Sequence, residues 1–169
     1  GALACPEVRK VEEAVYTDVD RRVGIVSSRG IDLWAASTYA LLYVYAHAER
    51  EGEMRSGLAA AGGRGGVEAL RPEEVGNEAA EHARRLLGAK PCASGRYSVV
   101  LDREVAAALI RALAPALSGD AVQKGRSVFA AKDGEVVSPS AFHLWDDGLH
   151  PEGPAGFPFD DEGVCRSGR

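Results

Sequence analysis

The chain has 169 residues, 46% of them hydrophobic and 27% charged, with 20 Gly and 8 Pro. This balance belongs to ordinary soluble globular proteins and excludes disorder and collagen-like repeats, and no run approaches the ~18 consecutive apolar residues of a membrane helix. The net charge is −5, but residues 133–165 hold eight acidic side chains and no Lys or Arg, a local acidity that repels phosphate and argues against a general nucleic-acid surface there.

The opening Gly1-Ala2-Leu3-Ala4-Cys5-Pro6 carries no initiator Met and no basic-then-apolar signal segment, so the chain reads as a piece cut from a longer one. Val11, Val15, Thr17 and Val19 alternate with Glu12, Asp18 and Asp20, which predicts a half-buried strand continued by Val23-Gly24-Ile25-Val26. Ser27-Ser28-Arg29-Gly30 supplies a turn, and residues 31–36 read as the next strand. Residues 39–46 are apolar on both faces, as in a central strand, and a polar turn at 49–53 leads to a strand over 54–61. The expectation is an antiparallel meander of four or five strands. Tyr39, Tyr43 and Tyr45 fall on one face, where core packing is favoured over base stacking because no basic residue lies nearby.

Gly62-Gly63-Arg64-Gly65-Gly66 ends the sheet in a loop whose glycines permit close backbone approach to a ligand or another chain. Pro72-Glu73-Glu74 opens a helix with the apolar stripe Val75, Ala79, Ala83, Leu86 and Leu87, stopped by Gly88. Residues 88–95 form a candidate boundary between a domain over 1–90, sheet plus helix, and a second over 91–169. There, 97–101 reads as a short strand and Asp102 as the N-cap of a helix through Val105, Leu109, Ala112, Leu113 and Ala116, disturbed by Pro115 and closed by Gly119. Strand-like pieces follow at 127–131, 136–137 and 142–145. The fold class is α+β: an antiparallel meander with packed helices, then the start of a second, β-rich domain.

The chemistry-bearing residues are sparse. Cys5, Cys92 and Cys165 are odd in number and form no CxxC pair, which fits a reducing cytoplasm. His143, Asp146, Asp147 and His150 are suitable metal ligands, although their spacing matches no compact motif. Asp160-Asp161-Glu162 could serve a metal or acid–base chemistry, although clustered carboxylates more often form turns. No Ser/His/Asp or Cys/His nucleophile is assignable, because His47 sits on a buried-looking strand and His82 on a packing helix.

Three ordered blocks carry a resemblance. Arg96-Tyr97-Ser98-Val99-Val100-Leu101-Asp102-Arg103-Glu104-Val105-Ala106-Ala107, then Leu117-Ser118-Gly119-Asp120-Ala121-Val122-Gln123-Lys124-Gly125-Arg126-Ser127, then Pro158-Phe159-Asp160-Asp161-Glu162-Gly163-Val164 resemble the TldD/PmbA family. The glycine loop, Ser138-Pro139 and Asp146-Asp147-Gly148 agree in order and spacing. The resemblance implies a cytoplasmic protein with an N-terminal α/β part and a C-terminal β-rich part, acting in proteolysis of small or unfolded peptides or in peptide maturation. It nominates Gly119, Asp120, Lys124, Arg126, Ser127, Asp160, Asp161 and Glu162 as substrate- or partner-binding candidates.

In the TldD branch a His-Glu-x-x-x-His motif precedes the Gly-Asp block, with two His binding metal and Glu activating water. The corresponding positions here are Ile110, Arg111 and Pro115, so the resemblance is to the PmbA (TldE) branch. It implies a non-catalytic subunit with no metal in this chain, a zinc-bearing TldD-type partner, a peptide substrate, and neither membrane nor direct nucleic-acid binding. The alternatives are a metallopeptidase active on its own through another site and a non-enzymatic, gyrase-modulator-like interaction module.

Overall fold

Alternating side chains through the first third of the chain build three long antiparallel strands in the order β1-β2-β3: β1 (Val8–Val26), β2 (Asp32–Arg50) and β3 (Glu53–Gly63). The computed structural model describes residues 1–150, 153 and 156–165. It forms two units, one of Gly1–Pro91 with Trp145–Arg169 and one of Cys92–Leu144. The expected count of four or five strands is corrected to three. The segments expected as separate strands at 31–36 and 39–46 merge into one unbroken strand from Asp32, because Ser37 and Thr38 keep their pairing to Arg21 and Asp20. The β2–β3 connection is the two-residue turn Glu51-Gly52, with φ of 54° and 82°, the primed geometry that matches the twist of a tight hairpin.

The first unit is built on β2. Its even-numbered residues Ala40, Leu42, Val44, Ala46 and Ala48 are buried beneath α2 (Pro72–Arg85), which presents Val75, Ala79, Ala80 and Ala83. Pro72 stands at the helix start and Glu73 and Glu74 in its first turn, while His82, Arg84 and Arg85 occupy the last turn, all favourable to the helix dipole. Gly88, at φ 77°, follows the helix as expected. Of the anticipated stripe, Leu86 is exposed. Tyr39, Tyr43 and Tyr45 share a face, but it is the face opposite the buried alanines, and they are only half-buried.

The helix lies close because the facing residues are small. A Cβ on Gly57 would overlap the Ala79 carbonyl oxygen and the Ala83 amide nitrogen and come within 2.9 Å of His82 Cβ.

The second unit contains α3 (Arg103–Leu113), a 3-10 turn (Ala114–Leu117) and α4 (Gly119–Gln123). Asp102 caps α3 as anticipated, accepting from the Glu104 and Val105 amides at 3.0 and 2.9 Å. No described residue of this unit is buried, and none lies in a strand. The segments 97–101, 127–131 and 136–137, read from sequence as strands, are therefore extended or turn structure, because no neighbouring strand accepts their hydrogen bonds. The same holds for 142–145, whose last residue belongs to the first unit. No helix among the described residues is long and apolar enough to cross a membrane.

Replacing Gly57 by Ala should lower the unfolding free energy by about 1–3 kcal/mol, the usual cost of overpacking. Gly119→Ala, where an added Cβ meets nothing within 4 Å, should stay within about 0.5 kcal/mol. Urea denaturation of the parent protein and both variants checks the pair.

Candidate functional site

The glycine loop is where the sheet changes character. β3 stops at Gly63, and the chain passes through Arg64 and Gly65 into the short helix α1 (Gly66–Ala69; α2, α3 and α4 follow). Gly66 has φ 74°, and a Cβ on Gly62 would overlap the Tyr39 hydroxyl, so glycine is required at both points for different reasons. Beside this turn lies a cavity of about 370 Å³ bounded by Tyr16, Asp18, Asp20, Tyr39, Arg64 and Gly65, among others. Asp20 faces Arg22 at 3.7 Å, whereas Asp18 makes no ion pair among the described residues. Arg64 donates through Nη2 to the Gly156 carbonyl, and its Nε is buried without an acceptor among the described residues. A buried donor left unmatched costs about 1–3 kcal/mol.

The nominated carboxylates of the C-terminal segment are placed differently. Asp160 is a turn former: its side chain accepts from the Glu162 and Val164 amides at 3.1 and 2.8 Å, and its backbone pairs with Val164 and Gly163. Asp160 and Asp161 border a smaller cleft of about 160 Å³ with Arg21 and Phe157; the Arg21 guanidinium lies 5.2 Å above the Phe157 ring. Asp147 likewise closes a turn, accepting from the Leu149 amide at 2.9 Å. Among the described residues, no group of three converging His, Cys, Asp or Glu ligands includes His143, Asp146 or His150.

In the second unit, Lys124 and Arg126 both face Asp120, at 2.6 and 3.1 Å. Ser127 donates to the Ala116 carbonyl and accepts from the Phe129 amide, so it staples the chain after α4 to the turn before it. Gly119 opens α4 behind the Ser118 cap. Ile110 and Arg111 lie in the last turn of α3, and Pro115 in the 3-10 turn that ends it. None of the three fits a metal: Ile and Pro have no ligand atom, and a guanidinium neither coordinates a cation nor acts as a base.

One constellation escaped the sequence reading. Ser56, on β3, donates to His47 Nδ1 on β2 at 3.0 Å, and His47 Nε2–H donates to Glu12 on β1. Tyr45 packs edge-on against the imidazole at 5.1 Å. A hydroxyl, an imidazole and a carboxylate thus stand in line across all three strands, correcting the view that no such arrangement exists. His47 opposes Ser56 directly in the register, which alternation alone could have suggested. Glu12 arrives through a bulge between Val11 and Glu13, a device that re-aims a side chain and leaves no sequence signal. The trio lines none of the clefts described above, and it serves as a clasp across the sheet. The hydrogen bond from His47, helped by the charge of Lys10, holds the Glu12 carboxyl below the usual range.

These features define an α+β module in which a three-stranded antiparallel sheet, backed by one helix, presents ligand-sized clefts. The sequence matches the PmbA/TldA metallopeptidase central domain over residues 2–87 and the C-terminal domain of the same family over residues 94–168, and the chain belongs to that family. It is 32% identical to a protein named metalloprotease from Methanothermobacter thermautotrophicus, over 88% of this chain and 34% of that protein. The metalloprotease MJ0996 of Methanocaldococcus jannaschii gives the same identity and shares. The solved structure of TM0727 from Thermotoga maritima, named for modulation of a DNA gyrase, superposes with a TM-score of 0.92 at 33% identity, covering 99% of this chain and 39% of that one. The chain spans about a third of the length of these relatives.

Because the folded carboxyl of Glu12 titrates below its unfolded value, the clasp contributes fully above the unfolded value and is lost as pH falls through the folded one. Glu12→Gln should therefore flatten the acid limb of the stability curve and leave its shape unchanged above pH ~5, as read by thermal melts across pH.

Proposed function

We propose that this chain is the middle of a non-catalytic, PmbA/TldE-type subunit of a heteromeric peptidase. In this reading a TldD-type partner carries the zinc, and the pair acts on small or unfolded peptides. Membership of a family described as metallopeptidases supports the chemistry. One observation carries the division of labour: the positions where the TldD branch places two imidazoles and a carboxylate hold Ile110, Arg111 and Pro115. Arg111 adds a positive charge that opposes a divalent cation. Pro115 also cannot be reversed by side-chain chemistry alone, because it stands in the 3-10 turn where the α-helix has already ended.

The nominated groups around α4 are consistent with a supporting role. Asp120 is neutralised by Lys124 and Arg126, and Ser127 is spent on backbone partners, so these residues shape a wall rather than present a reactive group. This subunit would supply surface and shape while the partner supplies the reacting centre.

The test is elemental analysis of the full-length parent protein purified without its partner, after loosely bound ions are removed. The expected result is far less than one metal per chain, with peptide cleavage appearing only when a His-Glu-x-x-x-His-bearing partner is added. Near-stoichiometric zinc, or robust chelator-sensitive cleavage by the parent protein alone, overturns the reading. The triple change Ile110→His, Arg111→Glu, Pro115→His should not by itself restore strong hydrolysis, since the shell that orients metal ligands would be missing.

A further inference from the structure

We propose that the aromatic face of the sheet, opposite α2, is a docking surface for an extended, uncharged segment of an unfolded peptide whose alternate side chains are aromatic or aliphatic. The inference rests on the peptide-handling reading above and adds which surface meets the peptide and which side chains it selects.

Alternation assigns the residues of this face. Along the unbroken register from Glu13 to Val26, Val15, Thr17 and Val19 of β1 oppose Tyr43, Leu41 and Tyr39 of β2, and Tyr45 opposes Leu58 of β3. They lie on the side away from the buried Ala40, Leu42 and Val44. A solvated sheet face ordinarily carries polar residues, but here Val19, Leu41, Met54 and Leu58 are 49, 37, 55 and 50% exposed. Every residue on this side is uncharged between Glu13 and Arg21 of β1, between Ser37 and His47 of β2, and from Met54 to Gly62 of β3. The charges at the two ends on β1 are engaged within the chain. Glu13 accepts from the Tyr43 hydroxyl and holds its pKa above the usual value, and the Arg21 guanidinium lies 5.2 Å above the Phe157 ring.

The protein itself shows what this side of the sheet accepts. Further along the same side of β1, Val23 and Ile25 border a cleft with Phe157 and Phe159, and Phe159 is buried. The two rings flank Pro158 and meet edge-on at 5.4 Å. An uncharged segment with aromatic rings at alternate positions is thus seated on the continuation of the open patch. Size favours the same kind of occupant. From Tyr39 to Tyr45 the patch runs about 20 Å, the length of roughly six extended residues, and three strands ~4.8 Å apart give it roughly 300 Å². A stable protein–protein interface takes ~800 Å² from each partner. The uncharged stretch has no cation to pair with the phosphates of nucleic acid or lipid, and a charged peptide side chain would lose its water there without gaining a partner.

The experiment uses the full-length parent protein without its partner and a short, dye-labelled peptide in which phenylalanine alternates with serine, with binding read by fluorescence anisotropy. This peptide should bind about tenfold or more tightly than its all-serine counterpart, since burying one aromatic side chain suffices for that. Leu58→Glu, which sets a charge within the patch at an exposed position, should erase most of the preference. Leu86→Glu, at an exposed leucine outside the patch, should keep it. Equal binding of the two peptides by the unaltered protein overturns the proposal without any variant having to fold. So does a preference that survives in Leu58→Glu, or one that Leu86→Glu removes as well. A dimer of the unaltered protein that Leu58→Glu dissociates, read by sedimentation, also overturns it, because a second copy then covers the face. The outcome is separable from that of the metal analysis. A zinc-loaded protein that still shows the Leu58-dependent preference defeats the non-catalytic reading alone, whereas a metal-free protein with no preference defeats only this one.

Discussion

The close seat of α2 on the sheet governs the first unit. Ala46, Ala48 and Ala59 on the strands and Ala79, Ala80 and Ala83 on the helix are almost fully buried, yet each contributes only a methyl group, worth roughly 0.8 kcal/mol. Stabilisation on this scale depends on many small contacts at near-optimal distance, and Gly57 sets that distance by letting the helix backbone rest on the strand. A seam of larger side chains would bury more area but lift the helix. Because α2 is held down over the β2–β3 half only, the face it covers ends near Ala40.

That ending has a structural consequence. Beyond Ala40, β1 and β2 continue as a two-stranded ribbon without β3, since Ala40 pairs with Gly63, the last residue of that strand. Along the ribbon the more sheltered side switches: Leu33, Ala35 and Ser37 are half-buried, while Trp34, Ala36 and Thr38 are exposed. Phe157, Phe159 and Gly163 of the C-terminal segment lie against this stretch, Gly163 next to Ile25 and Ile31. The cavity beside the glycine turn opens where one cover stops. A cleft at such a discontinuity needs no dedicated loop, only polar residues where the alternation would otherwise place apolar ones, and Asp18 and Asp20 are those residues.

How much of this could be read from the chain follows from what each feature depends on. Periodicity and capping are local, so α2, α3, the Asp102 cap and the stop at Gly88 were legible, as was β2 as the central strand. The strand count was overestimated because Ser37-Thr38 looks like a break in composition while the ladder passes through it undisturbed. The strands expected in the second unit failed for the opposite reason: Val99, Val100 and Val136 have strand-forming side chains, but each is exposed and has no partner strand. The glycine loop was recognisable as a place of close approach, but its company of Asp18 and Arg64, 46 positions apart in sequence, requires the register. The clasp of Glu12, His47 and Ser56 depends on a bulge, and no pattern of residue types announces one.

The contrast between that clasp and the proposed loss of the metal motif bears on what a pattern of side chains establishes. Ser56, His47 and Glu12 have the identities and the order of a nucleophile, a base and an orienting carboxylate. None of the three lines the cavities found among the described residues, and a triad without a place for the reacting atom is a set of cross-strand hydrogen bonds. In the reading proposed above, Ile110, Arg111 and Pro115 are the reverse case, a place where the family's motif would fall but whose side chains cannot hold a metal or act as a base. Catalysis needs both residue type and placement. The clasp supplies the residue types without a place for a reacting atom, and so it holds strands together instead.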